Sequence, residues 1–412
     1  MPKFFYIVRD KTGKKITSDE ESSSLEELVG RLQAQGLIIV NVFPEYKEGL
    51  PGFKLGIAAK SKFRTRHYRV KIYDLVLLCR QLATLLGAGV TIMKSLDIIS
   101  KQVSSSQLYD TIRDLEKNME EGLSFHDALA RHHNIFSELW INLAETGEAT
   151  GNLPIVLNRL ASYLERNANF RKKIVSALIY PAILMLVGTG ALLFLTTRII
   201  PTFAKLFEGF DITLPLLTRI IIAVSVLIRN YLLIMIVTVM IAFSFLRGYI
   251  RTGDGRRRYE NFQFKLPLFG EFFRGLVVER FSSEMSTLVE SGVPLLYSLE
   301  IAERSVGNLV MADIIRKVKE EVREGKSLNE TLRKSEFFEP MVVQMVKIGE
   351  EIGELSQMFK RIDSFYLEYV ETFLSRLTTM FEPIMLIFMG VIIGMLVVGM
   401  FLPIFQLTQI GR

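Results

Sequence analysis

Apolar and polar positions fall in separate blocks along this chain, and the blocks differ in period. Residues 174–197 are 24 consecutive positions without a charge, enough to cross about 30 Å of hydrocarbon at about 1.5 Å per helical residue. Residues 383–411 are again uncharged, and 383–405 is their most apolar part. Between these runs an apolar region is cut by Arg229-Asn230. The part after the cut is expected to span, extended by Gly248-Tyr249-Ile250, with Arg229 snorkelling to the interface. The part before it, 214–228, is expected to lie at the far interface or against the bundle. Upstream, apolar residues recur at three and four (Leu75, Leu78, Leu82, Leu85, Leu86), the helix period. Gly, Ser and Asn punctuate this pattern at Gly87, Gly89, Ser104, Gly122, Asn134 and Gly147, which predicts about six short helices in an antiparallel bundle. The last helix starts near Asn152 and has no stop signal before the apolar run, so bundle and span are expected to form one rod. Residues 4–43 read as strand, turn at Lys11, return strand, helix with Leu25, Leu28, Val29 and Leu32 on one face, a stop at Gly36, and a third strand.

The pattern occurs twice. Gln81-Leu-Ala-Thr-Leu-Leu-Gly-Ala-Gly-Val-Thr-Ile returns as Glu284-Met-Ser-Thr-Leu-Val-Glu-Ser-Gly-Val-Pro-Leu, and Gly147-Glu148-x-x-Gly151-x-Leu153 returns as Gly349-Glu350-x-x-Gly353-x-Leu355. Pro181, Gly188 and Pro201 align with Pro383, Gly390 and Pro403. Two like modules that enter the membrane in the same direction require a return span between them. Charge agrees. Arg166, Arg171, Lys172 and Lys173 precede the first span, and Arg247, Arg251 and Arg256-Arg257-Arg258 follow the second. The positive-inside rule then places the N-terminus and both modules in the cytoplasm and the C-terminus outside.

The resulting expectation is a mainly α integral membrane protein with two repeated cytoplasmic six-helix bundles, three transmembrane helices and a small N-terminal α/β unit. Its segments are a small α/β domain (1–45), a basic linker (46–67), bundle one (68–170), span one (171–200), and an outer loop with an interfacial helix (201–230). Span two (231–250), bundle two (251–376), span three (377–405) and an outer tail (406–412) follow. A mean hydropathy of +0.29 fits this segregation. The net charge of +6 is modest, and no Arg/Lys stripe interleaves with aromatics in a folded segment, which argues against nucleic acid as a partner. The lone Cys79 excludes an intrachain disulfide and a cysteine metal cage. The linker has seven Lys/Arg and no acid from Lys54 to Lys71, which suits a tether near anionic headgroups. No apolar run suited to a signal peptide opens the chain, so its first domain is expected to stay on the side where it is made.

No motif for catalysis, cofactor or metal emerges. Gly325-Lys326-Ser327 resembles the end of a phosphate-binding loop, but Glu holds the place of its first glycine and the context is helical. His126, His132 and His133 are close in sequence without metal-ligand spacing. The paired Gly147/Gly151 and Gly349/Gly353 suit a helix–helix corner. Glu148 and Glu350 are expected near the start of the following helix, where a carboxylate meets free N–H groups, or on a contact surface for a partner. Glu382 precedes Pro383 at the cytoplasmic edge of the third span, where the first copy has Tyr180. A carboxylate this close to hydrocarbon suggests a contact with a cationic group of a client helix. Gly390 and Gly394 have the spacing for close helix approach.

The segment Lys173-Ile-x2-Ala177-Leu178-x-Tyr180-Pro181-x2-Leu184-x3-Gly188-x6-Leu195-x3-Ile199-Ile200-Pro201 resembles the signature of the inner-membrane platform proteins of type IV pilus and type II secretion machines. The Gly-Glu pair, Glu382-Pro383 and the Leu402-Pro403-Ile404-Phe405 ending are similar to the same family. The resemblance extends from about residue 68 to 405. It implies a non-enzymatic role in the bacterial inner membrane, without cofactors. A hexameric cytoplasmic ATPase would dock on the modules, and its movement would pass to pilin or pseudopilin helices drawn from the bilayer. It also implies contact with other inner-membrane assembly subunits and formation of a homodimer or higher oligomer. The rival class is a small-molecule transporter, against which three spans and the lack of a polar intramembrane cluster both argue.

Overall fold

The computed structural model describes residues 3–9, 15–22, 25–34, 38–44, 67–208 and 215–410, and it divides into two units, 1–62 and 63–412. The first unit contains β1 (Lys3–Arg9), β2 (Lys15–Glu21), α1 (Leu25–Ala34) and β3 (Ile38–Pro44). Its strands form an antiparallel sheet in the order β2-β1-β3. Leu28 and Leu32, one turn apart on α1, are fully buried. The expected turn at Lys11, the stop at Gly36 and the linker up to residue 66 lie outside the described residues.

The second unit is mainly helical. It opens with α2 (Ile72–Gly87), α3 (Ile92–Ser100), α4 (Ser106–Glu120), α5 (Phe125–Ala130) and α6 (Glu138–Ala149). Ser105, Ser124 and Ser137 cap α4, α5 and α6, their hydroxyls accepting from the backbone N–H groups of Leu108, Asp127 and Trp140. Leu82, Leu96, Ile112, Phe125 and Trp140 centre the core of these helices. Then α7 (Leu153–Phe194) runs 42 residues without a break, about 63 Å at the α-helical rise. The five residues Leu195–Ile199 widen into a π-helical turn before α8 (Ile200–Glu208). Pro201 explains the turn: it has no N–H, and its ring would strike the Thr197 carbonyl in a regular α-helix.

The return helix α9 (Leu216–Arg251) leads to α10 (Gly253–Lys265), α11 (Gly270–Glu290), α12 (Leu295–Ser305), α13 (Leu309–Arg323), α14 (Leu328–Lys334) and α15 (Pro340–Ile352). The chain ends with α16 (Leu355–Ile410), 56 residues long. Phe281, Met285, Leu299, Met311 and Phe359 form the second core. The two cores are not independent, because Leu288, Val293 and Ile301 from the second set pack into the first.

Among the described residues three helical stretches are long and apolar enough to cross a membrane, within Leu153–Leu206, Leu216–Arg251 and Leu355–Phe405. The separate interfacial helix expected before Arg229-Asn230 is not there: α9 passes through both residues unbroken. Arg and Asn keep their backbone donors and acceptors, and Arg favours helix nearly as well as Leu. A charge therefore sets the depth at which a helix sits, not where its backbone stops. Likewise, the expected tail from residue 406 remains helical to Ile410.

The rod predicts a measurable distance. Spin labels at Ile155 and Leu186 of α7, 31 residues apart, should give one narrow distribution whose backbone component is about 46 Å. Ala168→Pro should broaden or shorten it, since an interior proline costs about 3 kcal/mol. The native Cys79 is buried and burial pushes its thiol pKa up, so it should resist labelling. A broad distribution in the unaltered chain would remove the rigid coupling.

Candidate functional site

The Gly-Glu motifs sit where α6 meets α7 and where α15 meets α16. A Cβ on Gly147 would lie 3.1 Å from the Leu153 Cα, and one on Gly349 would lie 3.1 Å from the Leu355 Cα and 2.9 Å from the Met358 side chain. The contact is with backbone, so no rotamer change relieves it. The second glycines, Gly151 and Gly353, have φ of 70° and 75°, the left-handed region that lets the chain reverse.

The glutamates do something other than expected. They do not serve the following helix. Glu148 accepts hydrogen bonds from the backbone N–H of Phe125 (2.9 Å) and His126 (3.2 Å), and lies 2.9 Å from the His126 Nδ1. Glu350 accepts from the N–H of Leu328 (2.5 Å) and Asn329 (2.9 Å), and from the Asn329 amide. Each caps the start of a short helix more than twenty residues upstream, α5 or α14. The reason is electrostatic. A glutamate in the last turns of α6 or α15 faces the negative end of its own dipole, whereas the open N–H groups of α5 and α14 present a positive one. Burial works against ionisation of Glu148, but His126 and the two amides outweigh it and hold the carboxyl below its usual range.

The signature residues follow the seam between α7 and α16. Lys173 pairs with Glu371 at 2.6 Å, and the Thr378 hydroxyl donates to the Ala177 carbonyl at 3.3 Å. Pro181 and Gly188 are buried in α7, and Met385 and Met389 of α16 lie over Gly188. Tyr180 is exposed. So are Glu382 and Pro383, and Glu382 makes no ion pair among the described residues. A Cβ on Gly390 or Gly394 would meet nothing within 4 Å; the close approach of α16 to α9 falls instead at Gly399, against Ile221, where the Thr218 hydroxyl donates to the Gly399 carbonyl at 2.5 Å. Pro403 lies buried within α16.

One cluster escaped the sequence reading. Glu284 of α11 is 1 % exposed and accepts from the Tyr163 hydroxyl of α7 (3.2 Å), the Ser305 hydroxyl (2.6 Å) and Arg280 (3.3 Å). Burial outweighs these partners and raises its carboxyl pKa. Glu279, one turn back and also buried, sits beside the Asp363 carboxyl of α16; burial first, and that negative neighbour second, push it up to about 8. Tyr297 adds a bond across the same junction, donating to Asn142 (2.5 Å) beside Glu145 (3.1 Å). The available signal was the replacement of Gln81 by Glu284 between the copies. Among the described residues no three of His, Cys, Asp and Glu converge on one point; His126 and His132 instead contact Glu148 and Asp114.

Two outcomes follow for the purified protein. Glu350→Ala leaves two amides without their acceptor and should cost about 1–3 kcal/mol, read as a lower thermal midpoint; an unchanged midpoint would dismiss the cap. Glu279 binds its proton more tightly folded than unfolded, so its contribution to stability is greatest at low pH and is lost from its unfolded value near 4.5 up to about 8. Glu279→Gln should flatten that decline in a series of melts, and an equal slope in the variant would count against the assignment.

The family described as type II secretion system (T2SS), protein F, matches the chain twice, over residues 78–201 and 281–403. The chain is 38 % identical over 408 residues to the type IV pilus assembly protein PilC of Thermus thermophilus, covering 99 % of this chain and 98 % of that one. Against PilC of Pseudomonas aeruginosa it is 33 % identical over 343 residues, 83 % and 92 % of the two chains. Against the type II secretion system protein F of Xanthomonas campestris pv. campestris it is 30 % identical over 414 residues, 99 % of each. A double match and near full-length identity to both kinds of relative have one meaning: the chain belongs to the family of PilC and type II secretion protein F.

Proposed function

We propose that this protein is the non-enzymatic inner-membrane platform of a type IV pilus or type II secretion machine, built from two copies of one helical module. The observation that supports this most directly is mechanical. Helices α7 and α16 each begin against a core of shorter helices and continue without a break into an apolar span. A module displaced by a partner would carry its span with it. In this reading both modules are cytoplasmic, the C-terminus is periplasmic, and a hexameric assembly ATPase docks on the modules. The Gly-Glu motifs organise the docking face indirectly, since Glu148 and Glu350 are committed to amides of α5 and α14. Pilin or pseudopilin helices meet the spans near Glu382, the exposed carboxylate beside Pro383 that makes no ion pair among the described residues. The open face at Gly390 and Gly394 remains for such a helix or for a second copy.

Glu382→Gln tests the client contact. In a strain that depends on this chain, the variant should insert normally, yet filament assembly or secretion should fall at least about tenfold, the value of about 1.4 kcal/mol. Normal assembly would remove Glu382 from the client contact. Co-purification of the full chain with its assembly ATPase tests the platform reading itself. Solute uptake by the chain alone in liposomes would favour a transporter instead.

A further inference from the structure

A cavity of about 590 Å³ opens where α7, the end of α9, α10, α11 and the turn between α12 and α13 meet. Its lining is of two kinds. Part is apolar: Ile174 is the first residue of the uncharged run in α7, Ile250 is near the end of α9, and Phe170 and Leu276 also line it. The rest is polar and basic: Arg171, Arg256 and Arg280 with the amides of Asn167, Gln263 and Asn308.

Two carboxylates also line the cavity, and neither opposes an anion. Glu260 is spent on the start of α13, accepting from the N–H groups of Leu309 (2.6 Å) and Val310 (3.4 Å), and on Arg256 (2.8 Å). Glu279 is buried beside Asp363, and this surrounding favours its neutral form near neutral pH. Arg256 and Arg280 are balanced by Glu260 and Glu284 but retain spare N–H donors. Arg171 has no partner among the described residues, so one full positive charge faces the cavity uncompensated.

We propose that this cavity binds an anionic phospholipid, its phosphate against Arg171 and its acyl chains leaving past Ile174 and Ile250. Its volume is in the range of small-molecule pockets. A basic recess between helices at the membrane edge is the physical setting for an anionic headgroup. The lipid would bridge the first rod, the return helix and the second set of helices at the level where the rods enter the membrane. The proposal needs the three apolar helices to lie in a bilayer; it does not depend on the ATPase or client assignments.

The test uses the full chain in mixed phosphatidylcholine–phosphatidylglycerol nanodiscs, released into detergent and weighed by native mass spectrometry. Phosphatidylglycerol should be retained in preference to phosphatidylcholine. Arg171→Gln should lower that retention about fivefold, the equivalent of about 1 kcal/mol, at an unchanged thermal midpoint. Lys172→Gln removes the same charge one residue away, outside the cavity, and should retain lipid like the unaltered chain. Equal retention in Arg171→Gln, or equal loss in both variants, overturns the site. Displacement of the lipid by millimolar inorganic phosphate overturns the lipid as its occupant in favour of free phosphate.

Discussion

A backbone that enters hydrocarbon must bring its hydrogen bonds with it, and the architecture of this chain follows from that requirement. Lipid offers no partner to an N–H or C=O, so a helix that begins in water and ends in lipid has no cheap place to stop at the boundary. Helices α7 and α16 do not stop. Each first turn packs against the preceding glycine corner, and each helix continues into an uncharged apolar run. Pro181 and Pro383 fall inside these helices. Their lost hydrogen bonds are tolerated because the flanking turns and neighbouring helices hold the geometry. Only at Pro201 does the helix widen, at the end of the uncharged run.

Once the rods are continuous, their mutual contacts decide whether they move together. The seam has an ion pair at Lys173–Glu371, a hydroxyl-to-carbonyl bond at Thr378, and methionines over Gly188. The ion pair is half exposed and worth about 1 kcal/mol at most. The methionines are adaptable and impose no single fit. Beneath them, Phe170 of α7 and Val370 and Leu374 of α16 share a small buried core. The junction of α7 with α11 is different. There Tyr163, Glu284, Ser305 and Arg280 are joined in one buried network, and breaking it would strand a charge.

How much of this was legible in the sequence follows from the range of each interaction. Apolar runs, helix period and the glycine corners are local, so spans, rods and the Gly147/Gly349 contacts could be read directly. Arg229-Asn230 misled because a charge in an apolar run resembles a boundary, although the backbone ignores it. Glu148 and Glu350 were recognised as helix-capping carboxylates and given the wrong helix: their partners lie upstream at Phe125 and Leu328, across a fold the sequence does not display. The Lys173–Glu371 pair spans 198 positions. Glu279 and Asp363 look like surface acids until α11 and α16 are packed together.

The change from Gln81 to Glu284 bears on how the two stretches that match one family model come to differ. Where the first copy has Gln81, hydrogen-bonded to Gln102 on the surface of its own module, the second has Glu284, buried and bonded across to the first rod. A neutral amide suffices for a local contact. A buried carboxylate exacts a desolvation cost, offset here by Arg280 and Ser305 of the second set of helices and by Tyr163 of α7. The substitution thus adds a buried bond between the second set of helices and the first rod. Losing the Tyr163 hydroxyl would leave that carboxylate one donor short in a place water does not reach. The asymmetry between Gln81 and Glu284, small in sequence, ties α11 to α7 at a point where the first copy makes only a local contact.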